Sequence, residues 1–294
     1  MPDAASTLPR LHEDAALFRE AVNFTAARTG FSQRLVEKDY FCTLMLSYLS
    51  SVAPQLVFKG GTCLAKVHAE FYRLSEDMDF VIPITEDAPR SERSRLAAGV
   101  KKAAKGLHEA LPVFRVKDGL KGANRSTQYV GSFAYESPIG GDEETVKLEV
   151  GLREPLVNRV ILRPARSVML NPVTGESMVA PVAAASIDLS EAYAEKFRAA
   201  LTRRDVAIRD YYDIEYGAIR VGLDAWDKEL VRLVRVKLAV RDNPQVDVSD
   251  ERLRRLRAQM STDLRPVLRP KDFDEFDLEH AIGVVVEMAE AVGT

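Results

Sequence analysis

Apolar residues recur at three-and-four spacing over residues 12–28, at Leu17, Val22 and Phe24, and over 32–50, at Leu35, Phe41, Leu44 and Leu46. That period predicts two helices, separated at Thr29-Gly30. The run QLVFKG then predicts a short strand ending in Gly60-Gly61-Thr62, and CLAKVHAEFY a helix whose N-terminus follows those glycines. DMDFVIPI predicts a second strand, which Pro83 ends or confines to a sheet edge. Residues 89–110, rich in Arg, Lys and Ala, predict a solvated helix, after which the period changes to two. VFRVKDG, TQYVGSFAYES, TVKLEVGLRE and NRVILRP, separated by glycine, proline and asparagine clusters, predict an antiparallel meander. A loop with Asn171, Pro172, Gly175 and Pro181 follows. Asp188 and Glu191 form a capping box, so a helix is expected from Leu189 with Lys196 in its second turn. From about 205 the pattern is helical, broken near Gly222 and between Pro244 and Ser249. Trp226 is expected to anchor the core of this last part.

These elements predict an α+β, bilobed fold: residues 1–185 forming N-terminal helices and a mixed-sheet lobe, residues 186–294 a mostly helical lobe. Composition adds bounds. A chain of 294 residues with 46% hydrophobic content can bury a core in one large domain or two ordinary ones. Its formal net charge of −3 names no partner, so any affinity for nucleic acid must come from a local basic patch. Cys42 and Cys63 stand in apolar contexts without the paired spacing of zinc or redox motifs, which predicts two core thiols and a reducing compartment. No uncharged apolar run reaches membrane-spanning length and the N-terminal stretch has no apolar signal region, so the expected location is cytoplasmic.

The chemistry concentrates between 57 and 80. Asp77 and Asp79 stand at i and i+2 on a strand, so they point to one face and can share a cation. Two carboxylates that close repel each other unless Mg²⁺ or a salt-bridge partner neutralises them, and an exposed acidic strand end remains the plain alternative. Gly60 and Gly61, between a strand and a helix, allow close backbone approach to a ligand beside free N–H groups suited to phosphate, and Thr62 adds a hydroxyl. Glu149, mid-strand among apolar neighbours, is the candidate third carboxylate. Lys147 shares its face and could instead neutralise it structurally.

LVFKGGTCLAKVHAEFYRLSEDMDF resembles the signature of the AbiEii-type nucleotidyltransferases, toxin halves of type IV toxin–antitoxin and abortive-infection systems within the DNA polymerase β-like superfamily. The resemblance extends to VEKDYFCTLML (Glu37, Lys38, Asp39, Tyr40), to KLEV around Glu149, and to AEKFRAALTRRDVAIRDYYDIEY. In that last stretch a helix lysine followed by Arg-Asp-x-x-Asp is matched by Lys196 and by Arg209, Asp210 and Asp213. The resemblance implies a polymerase β-like mixed-sheet lobe. It implies that Gly61 and Thr62, with Lys59, Gly60 and Ser75, hold the triphosphate of a nucleoside triphosphate, while Asp77 and Asp79, with Glu149, bind Mg²⁺. It implies too that Lys196, with Arg209, contacts the phosphates and that Asp213, with Asp210, completes the site. Leu74 departs from the pattern, replacing an aromatic residue often seen between the positions of Arg73 and Ser75. The residues alone leave Arg209 and Asp210 open to a second role, a salt bridge that orients Asp213.

By the same resemblance the acceptor is RNA, tRNA foremost, and a separately encoded antitoxin is the partner. Basic clusters at Lys101, Lys102 and Lys105, at Arg203 and Arg204, at Arg232, Arg235 and Lys237, and at Arg252, Arg254, Arg255 and Arg257 are candidate phosphate contacts, or solvated helix faces. Two other readings stay open at this level. One is a nucleotidyltransferase modifying a protein or small-molecule hydroxyl, and the other is a non-catalytic nucleotide- or RNA-binding module.

Overall fold

The computed structural model describes residues 10–293. By contacts the chain divides into two compact units, one reaching to Ile187 and the other beginning at Asp188. Among the described residues no helix is long and apolar enough to cross a membrane.

The first unit is built on α1 (Ala15–Thr29), α2 (Gln33–Val52), β1 (Val57–Lys59), α3 (Gly60–Cys63), β2 (Asp77–Val81), α4 (Arg90–Ala110), β3 (Arg115–Ala123), β4 (Gln128–Glu136), β5 (Glu143–Gly151), β6 (Ile161–Ala165) and β7 (Val182–Ser186). Asp14 caps α1 by accepting from the N–H groups of Ala16 and Leu17, and Gly30, at φ +83°, ends it in the left-handed conformation that glycine adopts without strain. Ser32 then caps α2.

The strands form one sheet in the order β3-β4-β5-β2-β1-β7-β6. β2 runs antiparallel to β1 and parallel to β5, so the sheet is mixed and the fold is α+β. Alternation sorts the faces. Phe58, Met78, Phe80, Leu148 and Val150 are buried, and α2 packs on β2, β5 and β7. Phe41 of α2 stacks on Tyr135 of β4 at 4.0 Å between centroids and meets Phe114 edge-on, which ties the helix layer to the far side of the sheet.

Three features differ from the expectation. The meander stops at β5: β6 lies at the other end of the sheet, paired antiparallel with β7. β7 itself was expected to be loop, because VAAAS after a proline carries little β-propensity. It forms a strand through its position between β1 and β6, with Phe58 opposite Ser186 in parallel register. Lastly, the helix after the glycines ends early, as a π-helical turn over Leu64–His68. Glu70 and Phe71 then take positive φ, which turns the chain back toward β2.

That π-helical turn carries a buried ion pair. Lys66 Nζ donates to Asp39 Oδ1 at 2.5 Å and to Thr43 Oγ1 at 2.7 Å, while Asp39 Oδ2 accepts from Ser167 Oγ and the Val168 N–H, each at 2.9 Å. One carboxylate thus joins α2, the turn after α3 and the segment after β6. Nearby, Lys38 and Arg34 grip Glu76, the residue before Asp77, at 3.2 and 2.7 Å. Both cysteines are buried, and burial pushes the Cys42 thiol up to about 12.

The second unit contains α5 (Leu189–Thr202), α6 (Ile208–Tyr216), α7 (Lys228–Ala239), α8 (Asp250–Gln259), α9 (Pro270–Glu275) and α10 (Leu278–Gly293). α5 packs on α6 and α7, and α10 on all three. Asp188 caps α5 by accepting from the N–H groups of Ser190 and Glu191. The Glu191 carboxylate pairs with Lys237 at 2.6 Å, both side chains being buried. Trp226 is not the expected anchor: it is 50% exposed, in the turn after Gly222, and the core is filled by Tyr193, Phe197, Leu233 and Met288.

Removing one partner of a buried, hydrogen-bonded ion pair leaves the other charge uncompensated, a loss of about 3–5 kcal/mol. Lys66→Met is therefore expected to lower the unfolding free energy by that amount in urea titrations. The double variant Lys66→Met/Asp39→Asn should recover much of the loss, since no bare charge is left behind.

Candidate active site

The register across the central strands builds the site in the first unit. Asp79 of β2 stands between Lys59 of β1 and Glu149 of β5, and the row continues to Val130 of β4 and Lys121 of β3. In the adjacent row, Asp77 faces Lys147, then Ser132 and Asp118. Burial of Met78 and Phe80 on the opposite face directs all of these side chains to the open side of the sheet. Three carboxylates of two neighbouring strands therefore share one face.

The glycine turn closes against this face. Gly60, at φ +74°, lies so close to the Asp79 carboxylate that a Cβ would collide with it. Gly61 is likewise in the path of the Arg73 guanidinium, with Ser75 Oγ 3.3 Å from where its Cβ would be. Both glycines are thus needed for close approach, Gly60 for its backbone conformation as well. Thr62 Oγ1 donates to the backbone carbonyl of Asp77 at 2.5 Å. Its one proton therefore ties the turn to β2. Thr62, Arg73 and Leu74 are buried, whereas Gly60, Ser75, Asp77 and Asp79 are half-buried.

Lys147 supplies a positive charge to this acidic face. Its ammonium is 3.1 Å from Glu149 Oε2. Burial works against that charge, but Glu149 first, then Asp77 and Asp79, hold the Lys147 pKa above its ordinary value. Gln128 Nε2 donates to the other oxygen of Glu149 at 2.6 Å. Among the described residues no three Asp, Glu, His or Cys side chains form a ready-made metal cage. The donor set nonetheless fits a hard divalent cation: oxygen ligands only, on one open face, with an ammonium already drawn among them.

The second unit gathers the other candidates. Lys196 Nζ lies 2.7 Å from both Asp210 Oδ1 and Asp213 Oδ2. Arg203 holds the second oxygen of Asp210 at 3.1 Å, so the partner of that carboxylate is Arg203, and the alternative of an Arg209–Asp210 salt bridge is replaced. Asp213 is fully buried, and Arg209 is half-buried on the first turn of α6. The Tyr193 hydroxyl, close enough to Asp213 to feel its charge, is buried without a hydrogen-bond partner among the described residues.

The basic clusters are largely spent within the unit. Lys237 is buried against Glu191, and Arg252 donates to the carbonyls of Ala199, Ala200 and Arg203. Arg235 caps the C-terminal carbonyls of α10, and Arg232, Arg254, Arg255 and Arg257 pair with Glu229, Glu251, Asp205 and Glu279. In the first unit Lys101 sits over the Tyr129 ring, 4.6 Å from its centroid.

A family model described as "Nucleotidyl transferase AbiEii toxin, Type IV TA system" matches residues 44–279. The chain belongs to this AbiEii family. The match takes in the glycine turn, the aspartate pair, Glu149 and the Lys196 to Asp213 motif, and begins after Glu37, Lys38, Asp39 and Tyr40. In this AbiEii chain the last four serve the scaffold. Asp39 is the hub of the buried network, Lys38 holds Glu76, the Glu37 carboxylate accepts from Ser137 Oγ at 2.9 Å, and Tyr40 bonds His12. Among solved structures, the crystal structure of JHP933 from Helicobacter pylori is similar over 90% of this chain and 94% of that one, at 17% identity and a TM-score of 0.51. A second H. pylori structure, described as a candidate nucleotidyltransferase, covers 88% and 93% at 17% identity and a TM-score of 0.48. The first of these likenesses supports the fold. No curated protein matches.

The expected pairing of Lys147 with Glu149 is present at 3.1 Å, but the reach of its charge to Asp77 and Asp79, and Gln128 as a partner of Glu149, were missed. Lys147 had a signal, its strand face; Gln128 had none, because only the β4–β5 register brings it there.

Burial disfavours the charged form of Asp210, yet Lys196 and then Arg203 hold its pKa below the ordinary value of 3.8. A depressed carboxylate contributes stability that is complete above the unfolded pKa and is lost as pH falls through the folded one. The second unit is therefore expected to weaken below about pH 4. Asp210→Asn should flatten that part of the profile when unfolding free energy is followed from pH 7 to pH 3.

Proposed function

We propose that this AbiEii-family chain transfers a nucleoside monophosphate from a nucleoside triphosphate to a hydroxyl of RNA, tRNA foremost, and that Mg²⁺ held by Asp77 and Asp79, with Glu149, assists. The observation that carries the reading is the row of Lys59, Asp79 and Glu149 on the open sheet face, with the Gly60-Gly61-Thr62 turn pressed against it. Gly60 and Gly61 bring backbone N–H groups to the triphosphate, and Lys59 and Ser75 add a cation and a hydroxyl beside them. Bound Mg²⁺ neutralises phosphate charge and acidifies the attacking hydroxyl. The acceptor hydroxyl releases its proton to solvent as its oxygen bonds to the α-phosphorus, the bond from that phosphorus to the bridging β-phosphate oxygen breaks, and pyrophosphate leaves.

For the acceptor, support comes from exposed cations on the same unit with no ion-pair partner among the described residues: Lys121, at the end of the Asp79–Glu149 row, and Lys102 and Lys105 of α4. An RNA backbone lying across β3 and β4 toward the aspartates would meet Lys121 through a phosphate. In the second unit Lys196, Asp210 and Asp213 are assigned to the same reaction from the family pattern, Asp210 and Asp213 balancing the Lys196 charge while Arg203 pairs with Asp210, and with Arg209 as a further phosphate contact. The biological role that goes with this activity is growth arrest, in a cytoplasmic setting, relieved by a separately encoded antitoxin.

The test is to incubate the protein with each labelled nucleoside triphosphate, Mg²⁺ and total RNA. Label is expected on tRNA, and Asp79→Ala is expected to reduce it by about 100-fold or more, corresponding to several kcal/mol of lost charge stabilisation. Label on protein or on a small molecule instead would overturn the RNA acceptor, and no transfer with any triphosphate would overturn the reaction itself.

A further inference from the structure

Asp77, Asp79 and Glu149 would repel one another on their shared face if nothing positive stood there. Lys147 meets that need by position. It faces Asp77 directly across the parallel β2–β5 pair, while Glu149, two residues on, faces Asp79. Its ammonium is bonded to Glu149 at 3.1 Å, and its side chain remains 46% exposed. Gln128 fixes the other Glu149 oxygen from β4 at 2.6 Å. The carboxylate that would complete a three-ligand set is therefore turned toward Lys147 and Gln128, and no cage of three acids stands ready among the described residues.

A lysine ammonium and a divalent cation compete for the same carboxylate oxygens, but they differ in two ways. The ammonium is a single charge on a flexible four-carbon stem, so it can swing away toward solvent without moving the strand. The divalent ion draws several oxygens inward at once. Half-exposed Lys147 has the room to leave, since among the described residues only its two-residue neighbour Glu149 holds it by a hydrogen bond.

We propose that Lys147 is a resident stand-in for the divalent cation: it neutralises the Asp77, Asp79 and Glu149 face while the metal is absent and is displaced when the metal binds, thereby setting the concentration at which the metal occupies the site. The inference rests on the reading of these aspartates as metal ligands. It follows that the face is stable with or without metal, and that release of Lys147 frees Glu149 to join the ligand set and leaves an ammonium on the open face next to Ser132.

The experiment is a Mg²⁺ titration of the full chain without nucleotide, read by thermal unfolding and repeated with Mn²⁺ by direct binding at low temperature. The chains compared are the wild type, Lys147→Met, Lys147→Arg and Asp79→Asn. Lys147→Met is expected to melt lower than wild type in metal-free buffer, to gain more from metal, and to reach half-saturation at a metal concentration about tenfold lower. Lys147→Arg should titrate like the wild type, and Asp79→Asn should not respond. If wild type responds to metal but Lys147→Met has the same midpoint, the stand-in role is overturned and the metal reading stands. If no chain responds to either metal, the metal reading fails and takes this inference with it. Should Lys147→Met not fold, Lys147→Gln in the Mn²⁺ binding assay decides by the same midpoint comparison.

Discussion

The burial of Met78 and Phe80 beneath α2 is the constraint on which the rest of the first unit depends. Successive residues of a strand face opposite sides of the sheet, so seating Met78 and Phe80 against α2 turns Asp77 and Asp79 to the other side, and a slip of one residue would send the two aspartates into the core. The cost of such a slip is large: two apolar side chains brought to water, each about 1.5–3 kcal/mol, and two carboxylates taken out of it. Hydrophobic packing thus fixes the orientation of Asp77 and Asp79, although neither aspartate contributes to that packing. The parallel β2–β5 register then determines what faces them, Lys147 opposite Asp77 and Glu149 opposite Asp79.

Holding like charges together on a face requires rigidity nearby, and the chain supplies it from behind. Thr62 ties the glycine turn to the carbonyl of Asp77, and Arg73 fills the space that Gly61 leaves open. Arg34 and Lys38 anchor Glu76 immediately before the pair. The Asp39–Lys66 network fixes the turn after α3 to α2. Thr62, Arg73, Lys38, Asp39 and Lys66 are all polar and buried, so a displacement of the glycine turn would leave buried donors or charges unpaired. The π-helical turn at Leu64–His68 is consistent with this, since it is the element that carries Lys66 to Asp39.

Much of this was legible in the chain. Period 3.6 located α1 and α2, Gly30 their separation, period two β3 to β5, and the order strand, Gly-Gly-Thr, helix, Asp-x-Asp the candidate site. What the sequence did not show is set by partners distant along the chain. β7 is a strand because β1 and β6 flank it, whatever the weak propensity of its alanines. β6 crosses to the far edge because a local meander signal carries no information about pairing order. The clusters of arginine and lysine in the helical unit read as phosphate contacts or as solvated helix faces, but the packing of α5 to α8 and α10 gives most of them carboxylates or carbonyls of their own. Trp226 was misjudged for the opposite reason: size predicts burial on average, and a turn position overrides the average.

The same distinction bears on Lys196. As a lone helix lysine it would suit a phosphate contact, yet its ammonium lies 2.7 Å from two aspartates, one of them fully buried. A cation balanced in this way carries little net charge to a triphosphate, so attraction at a distance is a poor account of its role. A better one is positioning. Asp210 and Asp213 fix the ammonium of α5 relative to α6, with Arg203 restraining Asp210 from the other side. Arg209, on the same helix as both aspartates and half-exposed, is by contrast a cation with no ion-pair partner among the described residues. Charge and position are thus divided between two residues of the proposed site: the two aspartates hold the Lys196 ammonium in place, and Arg209 carries the more exposed charge.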